Sequence, residues 1–355
     1  MPQSSSTSAR LPFECRVFQS YVRGLKFFWK EDLYRTVVKE AARQPEASTD
    51  ALEARMRDEA PYQLYAWLER RLQQFKYLGR WGLVPTLAAD AERLGRILAS
   101  VDGLAPERLQ LDAKLQIPDY VAEVDTHQHP GSTWSDDYDA FVHESATAGF
   151  SFALGDAEQL DARYAGPLAQ FAPRRILDLG CSTGKSTRAL KRVMPEAEVA
   201  GCDVGAPVLR LAHLRALEAG LDITYCQQNA EHLRFADASF DLVASHWLFH
   251  ELPPAAIRNT LRESHRVLRS GGHLAVYDMC GVPGGVVGRW LHRGYSARNN
   301  EPFADALARL DLAAELAAAG FEDVRFDPPL PGPGHEGRLA PARANELFMV
   351  TARRA

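Results

Sequence analysis

The sequence predicts an α/β chain: a doubly wound, mostly parallel seven-stranded sheet with an antiparallel last strand, preceded by an all-helical region. Three observations predict it. Up to about residue 165, apolar residues recur at helical spacing. Beyond about residue 170, short apolar runs alternate with helical segments, the rhythm of a parallel sheet covered on both faces. The last two strands are joined by a Pro/Gly-rich segment without a helix. Parallel neighbours need a crossover, so that pair is antiparallel.

The elements follow in order. Residues 1–10 are Ser/Thr-rich with no apolar core, which reads as a disordered tail and not as a secretory signal. Residues 11–165 are the helical domain. Phe13 to Arg43 reads as helix with a possible interruption, and Leu64, Leu68, Leu72 and Phe75 are expected to line one face of another. Leu83 to Ser100 is a helix with Pro85 in its first turn. Asp102-Gly103 and Pro106 then mark a loop, and Asp136 to Thr147 and Asp156 to Phe171 complete the set. The many aromatics here, among them Tyr21, Phe27, Phe28, Tyr65 and Trp67, are expected to fill a helical core.

Residues 166–355 carry the strands: Arg175 to Leu179, Glu198 to Cys202, Ile223 to Cys226, Phe240 to Ser245, Gly272 to Met279, Val324 to Asp327 and Glu346 to Ala352. Helices are expected at Lys185 to Met194, Pro207 to Ala219, Pro254 to Leu268 and Leu307 to Ala319.

Composition narrows the function. A chain of 355 residues is long enough for two domains, and 46% hydrophobic with 25% charged residues excludes disorder or a collagen-like chain. No apolar run spans a bilayer, so no membrane partner is expected. The net charge of -5 and the lack of a basic stripe argue against a nucleic-acid partner. Five scattered cysteines without a C-x-x-C suggest reduced thiols in the cytoplasm.

The sharpest segment runs from Ile176 to Thr187, where a strand passes through a glycine turn into a helix. Gly184-Lys185-Ser186 resembles the end of a P-loop, but Gly180 and Gly184 enclose three residues where a P-loop has four. Gly180 to Gly184 also satisfies the G-x-S-x-G elbow, although nothing pins the acid and histidine that a hydrolase needs. The third reading is a nucleoside-binding loop for a ligand without phosphates, since Asp178 before the glycines attracts a cation. The next strand favours this one. It ends at Asp203, and a carboxylate there is placed to bond both ribose hydroxyls. Asn229-Ala230 follows the third strand, Phe240-Asp241-Leu242-Val243 forms the fourth, and Ser270-Gly271-Gly272 precedes the fifth.

This ordered set resembles the class I S-adenosylmethionine-dependent methyltransferases, over about residues 170–355. The resemblance implies a Rossmann-like core with S-adenosyl-L-methionine as cofactor. It places Asp178 near the sulfonium and amino-acid end of the cofactor, Gly180, Cys181, Ser182 and Gly184 along its wall, and Asp203 on the ribose. Asn229 and Ala230 would frame the adenine; many relatives carry Asp where this chain has Asn229. Tyr164, fourteen residues before Asp178, stands where some relatives contact the amino-acid end.

Direct transfer needs an in-line nucleophile at near-attack distance, and a general base helps where the acceptor is a hydroxyl or an amine. His246 and His250 at the end of the fourth strand are the candidate catalytic residues. Their His-x-x-x-His-Glu spacing reverses the zincin order, so no metal is expected. Two further clusters are candidates for the acceptor site. One is a loop around His127, His129 and Trp134 leading to Tyr138, which would close over the site. The other is the polar group Tyr295, Arg298, Asn299, Asn300 and Glu301. The expected function is methyl transfer to a small molecule, with the helical domain as lid or acceptor pocket. The alternatives are intramolecular chemistry within S-adenosylmethionine that releases methylthioadenosine, and a cofactor-binding scaffold without turnover.

Overall fold

The computed structural model describes residues 7–150, 160–281, 285–327 and 346–355. The start of the helix expected from Asp156, the first six residues of the expected tail and the segment Pro328 to Pro341 lie outside the described residues. Thr7 and Ser8 accept hydrogen bonds through their carbonyls from Arg215 and Arg93.

The N-terminal region contains α1 (Phe13–Phe28), a π turn (Trp29–Leu33), α2 (Tyr34–Ala42), α3 (Thr49–Met56), α4 (Ala60–Tyr77), α5 (Leu83–Ala88) and α6 (Ala91–Val101). Then come β1 (Leu109–Gln110), α7 (Asp119–Ala122) and α8 (Asp137–Phe150). The core region follows as β2 (Arg175–Leu179), α9 (Lys185–Val193), β3 (Glu198–Asp203), α10 (Ala206–Glu218), β4 (Ile223–Gln227), β5 (Phe240–His246), α11 (Pro254–Val267) and β6 (Leu268–Gly281). It ends with α12 (Gly285–Asn299), α13 (Ala304–Arg309), α14 (Leu312–Ala318), β7 (Phe321–Asp327) and β8 (Glu346–Arg354).

The strands form one sheet in the order β1-β4-β3-β2-β5-β6-β8-β7. All neighbours are parallel except β6/β8 and β7/β8, which are antiparallel as the missing crossover implies. The seven expected strands gain an eighth, a two-residue edge that pairs Leu109 with Tyr225 and Gln110 with Cys226. The region before residue 165 is therefore not purely helical. Two residues are too few to show an alternating pattern, which is why the sequence hides this strand.

The winding begins at β2, runs outward through β3 and β4, then returns past β2 to β5 and β6. The turning point lies between β2 and β5, where Leu179 pairs with Ser245. In such sheets the ligand crevice opens beyond the strand carboxyl ends at this point. Both faces are covered. Leu177, Leu179, Val243 and Leu274 face α11 and α14, whereas Ile176, Leu242 and Ala275 face α9. Coverage on both faces explains why these strands read as continuous apolar runs.

Helix boundaries follow their punctuation. The long helix expected at Leu307 to Ala319 is broken, because Asp311 caps α14 by accepting from the Ala314 N–H at 3.0 Å. The helix expected at Leu83 to Ser100 divides likewise at Ala89-Asp90. The buried stripe of α4 is Tyr62, Tyr65, Leu68 and Leu72, whereas Leu64 is 44% exposed. Tyr21, Phe27, Phe28 and Trp67 also stand exposed, so the expectation that the aromatics fill a core holds for Tyr62, Tyr65 and Tyr77 but not for these four.

Among the described residues, both cores of the N-terminal helices are shared with helices of the later region. Leu83, Leu87, Leu94 and Leu98 pack with Val208, Leu211 and Leu214 of α10. Val22, Val37, Leu52 and Tyr65 pack with Trp290 and Leu291 of α12. Because Leu211 is fully buried in the first of these shared cores, Leu211→Ala is expected to cost about 2–5 kcal/mol. In a denaturant titration followed by circular dichroism, the helices and the sheet should melt together, earlier than in the wild-type chain.

Candidate active site

The crevice is built from strand ends. Beyond β2 the backbone turns through three left-handed positions, Gly180 (φ 62°), Ser182 (φ 48°) and Gly184 (φ 71°), before α9 begins. A side chain is barred at both glycines. A Cβ on Gly184 would stand 2.5 Å from the Tyr225 hydroxyl, and one on Gly180 would stand 2.7 Å from Leu248. The result is a backbone cradle of the kind that admits a ligand closely. Cys181 does not present its thiol to this cradle. The side chain packs under Gly201, where a Cβ would meet its sulfur at 2.9 Å, so only its backbone faces the loop.

Asp178 lies fully buried beneath the cradle. One carboxylate oxygen accepts from Ser186 Oγ and Thr187 Oγ1, both at 2.7 Å. The other oxygen has no aligned hydrogen bond, and neither does the nearby buried hydroxyl of Tyr164. Burial pushes the Asp178 carboxyl up to about 6, against the hydroxyl bonds that hold it down. The two groups face each other, and the Tyr164 hydroxyl joins Ser186 and Thr187 in holding the Asp178 carboxyl down; the second carboxylate oxygen keeps acceptor capacity for a cationic group bearing N–H donors.

Asp203 ends β3. Its carboxylate oxygens accept from the N–H groups of Ser182 and Gly205, each at 2.9 Å. Burial raises its pKa while these backbone bonds lower it. The bonds tie the second loop to the first and leave acceptor capacity for two hydroxyls. Asn229 closes a small turn by accepting from the Glu231 N–H at 2.9 Å, and Ala230 packs into the core beside it.

The two candidate histidines part company. At Trp247 the backbone turns left-handed (φ 62°) and its N–H bonds Tyr277 O at 3.0 Å. His246 sits edge-on to Tyr164, ring centroids 4.7 Å apart, and stacks on Tyr277 at 5.3 Å. Burial, helped by His250 and opposed by Asp278, lowers its pKa to about 3. That makes it a neutral imidazole and a weak base.

His250 is held differently. Its Nδ1 lies 2.8 Å from Asp278 Oδ1, and its Nε2 lies 3.3 Å from Glu251. Burial pulls its pKa down, but Asp278 and Glu251 outweigh burial and raise it well above the ordinary value. Asp278, fully buried, is itself fixed by the N–H groups of Phe249 at 2.8 Å and Met279 at 2.7 Å.

The loop before α8 reaches this point. His127 and Gln128 are both left-handed, at φ 58° and 59°. His127 Nδ1 lies 2.8 Å from buried Glu301, and its Nε2 lies 3.5 Å from Glu251. Tyr295 donates to Glu301 at 2.9 Å. Burial works to raise the Glu301 pKa, but His127, His250 and Tyr295 bring it below the ordinary value. His129 turns away, stacked on Tyr77 at 4.8 Å in the helical core.

The expected acceptor residues divide. Asn299 lines a small cavity of about 50 Å³ with Lys26, Trp29, Gln73, Lys76 and Tyr295. Burial and Lys30 lower the Lys26 pKa to about 8, with Glu301 and Glu69 opposing. Asn300 is exposed and ties its loop to the Asp125 carbonyl at 2.8 Å, so it acts as a strut and lines no chamber. Tyr138 packs on the core shared with α10. Trp134 is half-buried. Its neighbour Thr133 has its carbonyl 3.3 Å from where a Cβ on Gly205 would stand, which puts this loop beside the Asp203 turn and not at the cavity. Asp278 escapes the sequence reading, although a third carboxylate at a strand end was a signal available beside Asp178 and Asp203. Lys26 and Lys76 gave none, since each sits in an ordinary amphipathic pattern.

A family profile described as a methyltransferase domain matches residues 176–272. The demethylmenaquinone methyltransferase of Thermus thermophilus is 38% identical over 175 residues, covering 44% of this chain and 77% of that enzyme. The chain belongs to the class I S-adenosylmethionine-dependent methyltransferases. The ubiquinone biosynthesis O-methyltransferase of Nitrosococcus oceani is 36% identical over 121 residues, covering 34% of this methyltransferase and 49% of that one. Among solved structures, the Haemonchus contortus phosphoethanolamine N-methyltransferase 2, in complex with phosphomonomethylethanolamine and S-adenosylhomocysteine, matches with a TM-score of 0.49. It is 17% identical over 69% of this chain and 61% of that one. The cofactor of this methyltransferase is S-adenosylmethionine, and the buried carboxylate of Asp178, with acceptor capacity left on one oxygen, has the chemistry to fit a cationic group of that cofactor.

Two outcomes follow for cofactor binding. The Asp178 carboxyl, whose pKa of about 6 lies above the ordinary 3.8, is expected to favour a cationic ligand in its ionised form. A raised carboxyl pKa means that ionisation costs the folded chain stability as pH rises through about 6, and a bound cation relieves that cost. Calorimetric affinity for S-adenosylmethionine should therefore hold above pH 7 and fall as pH drops below about 6, with Asp178→Asn flattening the profile. Asp203→Ala should weaken binding on the order of 10- to 100-fold, the equivalent of a lost charge-assisted hydrogen bond or two.

Proposed function

We propose that this chain transfers the methyl group of S-adenosylmethionine to a small molecule held between the carboxyl edge of the sheet and the N-terminal helices. One observation carries this reading. The cofactor cradle and the His250–Asp278 pair lie on the same edge of the sheet, at the ends of adjacent parallel strands, under a loop anchored from the N-terminal region. The cradle takes the nucleoside and amino-acid ends, which fixes where the sulfonium methyl stands. His250 and Glu251 mark the acceptor side.

In the transfer, the acceptor heteroatom forms a bond to the methyl carbon as the carbon–sulfur bond breaks. Sulfur keeps the bonding pair, the acceptor's proton passes to solvent, and His250, polarised by Asp278 and Glu251, orients the acceptor by hydrogen bonding. The protein's part is alignment and exclusion of water. The His127 loop supports both, since Asn300 and Gln128 fasten it at 2.8 Å to Asp125 O and Arg298 O respectively. His246 contributes packing around Tyr164 and Tyr277 and takes no proton.

The helical residues 11–165 form the acceptor wall in this reading. The cavity of Asn299 and Tyr295 is its floor, because Tyr295 also bonds Glu301 beneath His127. Among the described residues no helix is long and apolar enough to cross a membrane. All five cysteines are free thiols, which fits a reducing cytoplasm. Neither a nucleic acid nor a membrane is part of this reading.

The test is mass spectrometry of the purified chain with S-adenosylmethionine, with and without a small-molecule extract of its host. S-adenosylhomocysteine should form only with extract, alongside a metabolite heavier by one methylene. Methylthioadenosine formed without extract would overturn methyl transfer in favour of intramolecular chemistry. Binding without any turnover would favour a scaffold. His250→Ala should lose turnover by on the order of 100-fold or more while S-adenosylmethionine affinity stays within a factor of about three, since no cradle residue touches it.

A further inference from the structure

Outside the cofactor cradle, ligand-type side chains converge most closely between β5, β6 and the loop before α8. His127 Nε2 lies 3.5 Å from the Glu251 carboxylate, and His250 Nε2 lies 3.3 Å from it. One donor atom from each of the three residues lies within 4.8 Å of the other two. We propose that His127, His250 and Glu251 bind a divalent transition-metal ion whose remaining coordination positions face the acceptor. Binding of the ion stands independently of the methyl-transfer reading; its use in catalysis rests on that reading.

The donor spacing fits. Nitrogen and oxygen ligands at ~2.0–2.2 Å from a common ion stand roughly 3–3.6 Å apart when adjacent. Two of the three separations already have that length, and the third is no more than 4.8 Å.

The surroundings fit more specifically. Metal-bound histidines commonly engage a carboxylate with the nitrogen opposite the metal, which fixes ring orientation and raises basicity. His250 has this arrangement through its hydrogen bond to Asp278, and His127 has a carboxylate at the same distance from Nδ1 without an aligned hydrogen bond. Asp278 lies 2.8 Å from Nδ1 of His250, and Glu301 lies 2.8 Å from Nδ1 of His127. Each Nε2 is thereby turned toward the same carboxylate. Both supporting carboxylates are completely buried, and Glu301 keeps one oxygen without a partner. Three carboxylates thus meet two imidazoles, and a dication bound at Nε2 displaces the proton that these carboxylates favour on His250 and takes over its charge.

The backbone also holds this geometry. His127 and Gln128 occupy left-handed conformations that non-glycine residues adopt at a cost. Asn300 and Gln128 brace the loop, and Gly131 N–H bonds Asp125 Oδ1 at 3.1 Å. The His-x-x-x-His pair of the sequence is not the ligand pair, because His246 is enclosed by Tyr164 and Tyr277. The second histidine comes instead from 123 residues upstream of His250, at His127.

Two imidazoles and one carboxylate select zinc, iron(II), cobalt(II) or manganese(II) over calcium or magnesium, which prefer oxygen alone. Three protein ligands leave positions open for an acceptor. An acceptor hydroxyl bound there releases its proton to solvent, its oxygen takes the methyl carbon, and the sulfur departs with the bonding pair. The ion supplies the Lewis acidity that makes the proton labile.

The experiment uses the untagged full chain, stripped with a chelator and titrated with Co²⁺ under visible absorption and calorimetry. The expected result is one Co²⁺ per chain with ligand-field bands. Glu251→Gln and His127→Ala should each weaken binding on the order of 100-fold, and Glu301→Gln by about 10- to 100-fold. S-adenosylmethionine affinity, measured on the same variants, should remain and so report intact folding. Absence of stoichiometric Co²⁺, or equal binding by wild type and a folded Glu251→Gln chain, would overturn the site and leave a hydrogen-bonded His–Glu–His cluster.

Discussion

The organising constraint of this molecule is the buried carboxylate of Asp178. It sits where the sheet changes its direction of winding, between β2 and β5. Its bonds to Ser186 and Thr187 clamp the end of β2 to the first turn of α9. That clamp determines the path of the intervening loop, and three left-handed residues are what such a short path requires. Asp203 then reaches across to Ser182 N–H, so the second strand end is aligned by the first. The cofactor site is a consequence of how two strand ends are tied together. The energetic cost of burying Asp178 is offset by its hydroxyl bonds.

The acceptor side works by the same balance between burial and charge, with a different outcome. At His246 burial wins, and the imidazole is a neutral aromatic among aromatics. Four residues later, two carboxylates outweigh burial and His250 is polarised. The difference arises from the left-handed turn at Trp247, which sends the two rings to different faces of the strand end. Spacing in the sequence pairs them; the backbone separates them.

This explains which parts of the structure were legible in the sequence. Strand–glycine–helix order is a local property, so β2, β3, β5 and the cradle glycines were readable from adjacent residues. The antiparallel end was readable because chain connectivity alone excludes a crossover. The site around Glu251 was only half readable. His250 and Glu251 are neighbours, but His127 and Glu301 arrive from distant loops, and polar loop residues look alike until the fold brings them together. Leu64 and Trp67 show the same limit in the helices, where an apolar residue can match the period and still face outward. Tyr62 and Tyr65 form the buried stripe because α12 brings Trp290 and Leu291 against that side of α4.

The shared cores bear on how the site is assembled. α10 follows the strand that ends in Asp203, and α12 precedes the turn that carries Glu301. These are the helices against which the N-terminal region packs. A displacement of that region would therefore move through α10 toward the ribose side and through α12 toward Glu301 and His127. The cofactor and acceptor halves are thus joined mechanically twice: once through the sheet, where β2 and β5 pair, and once through the helical layer. His127 lies 2.8 Å from Glu301, and so any strain on the loop before α8 reaches the helix layer that also backs the Asp203 turn. Packed interiors transmit such strain because they lack the free volume to absorb it. The region before residue 165 is in this sense packed as one body with the sheet, although the family signature lies entirely after it.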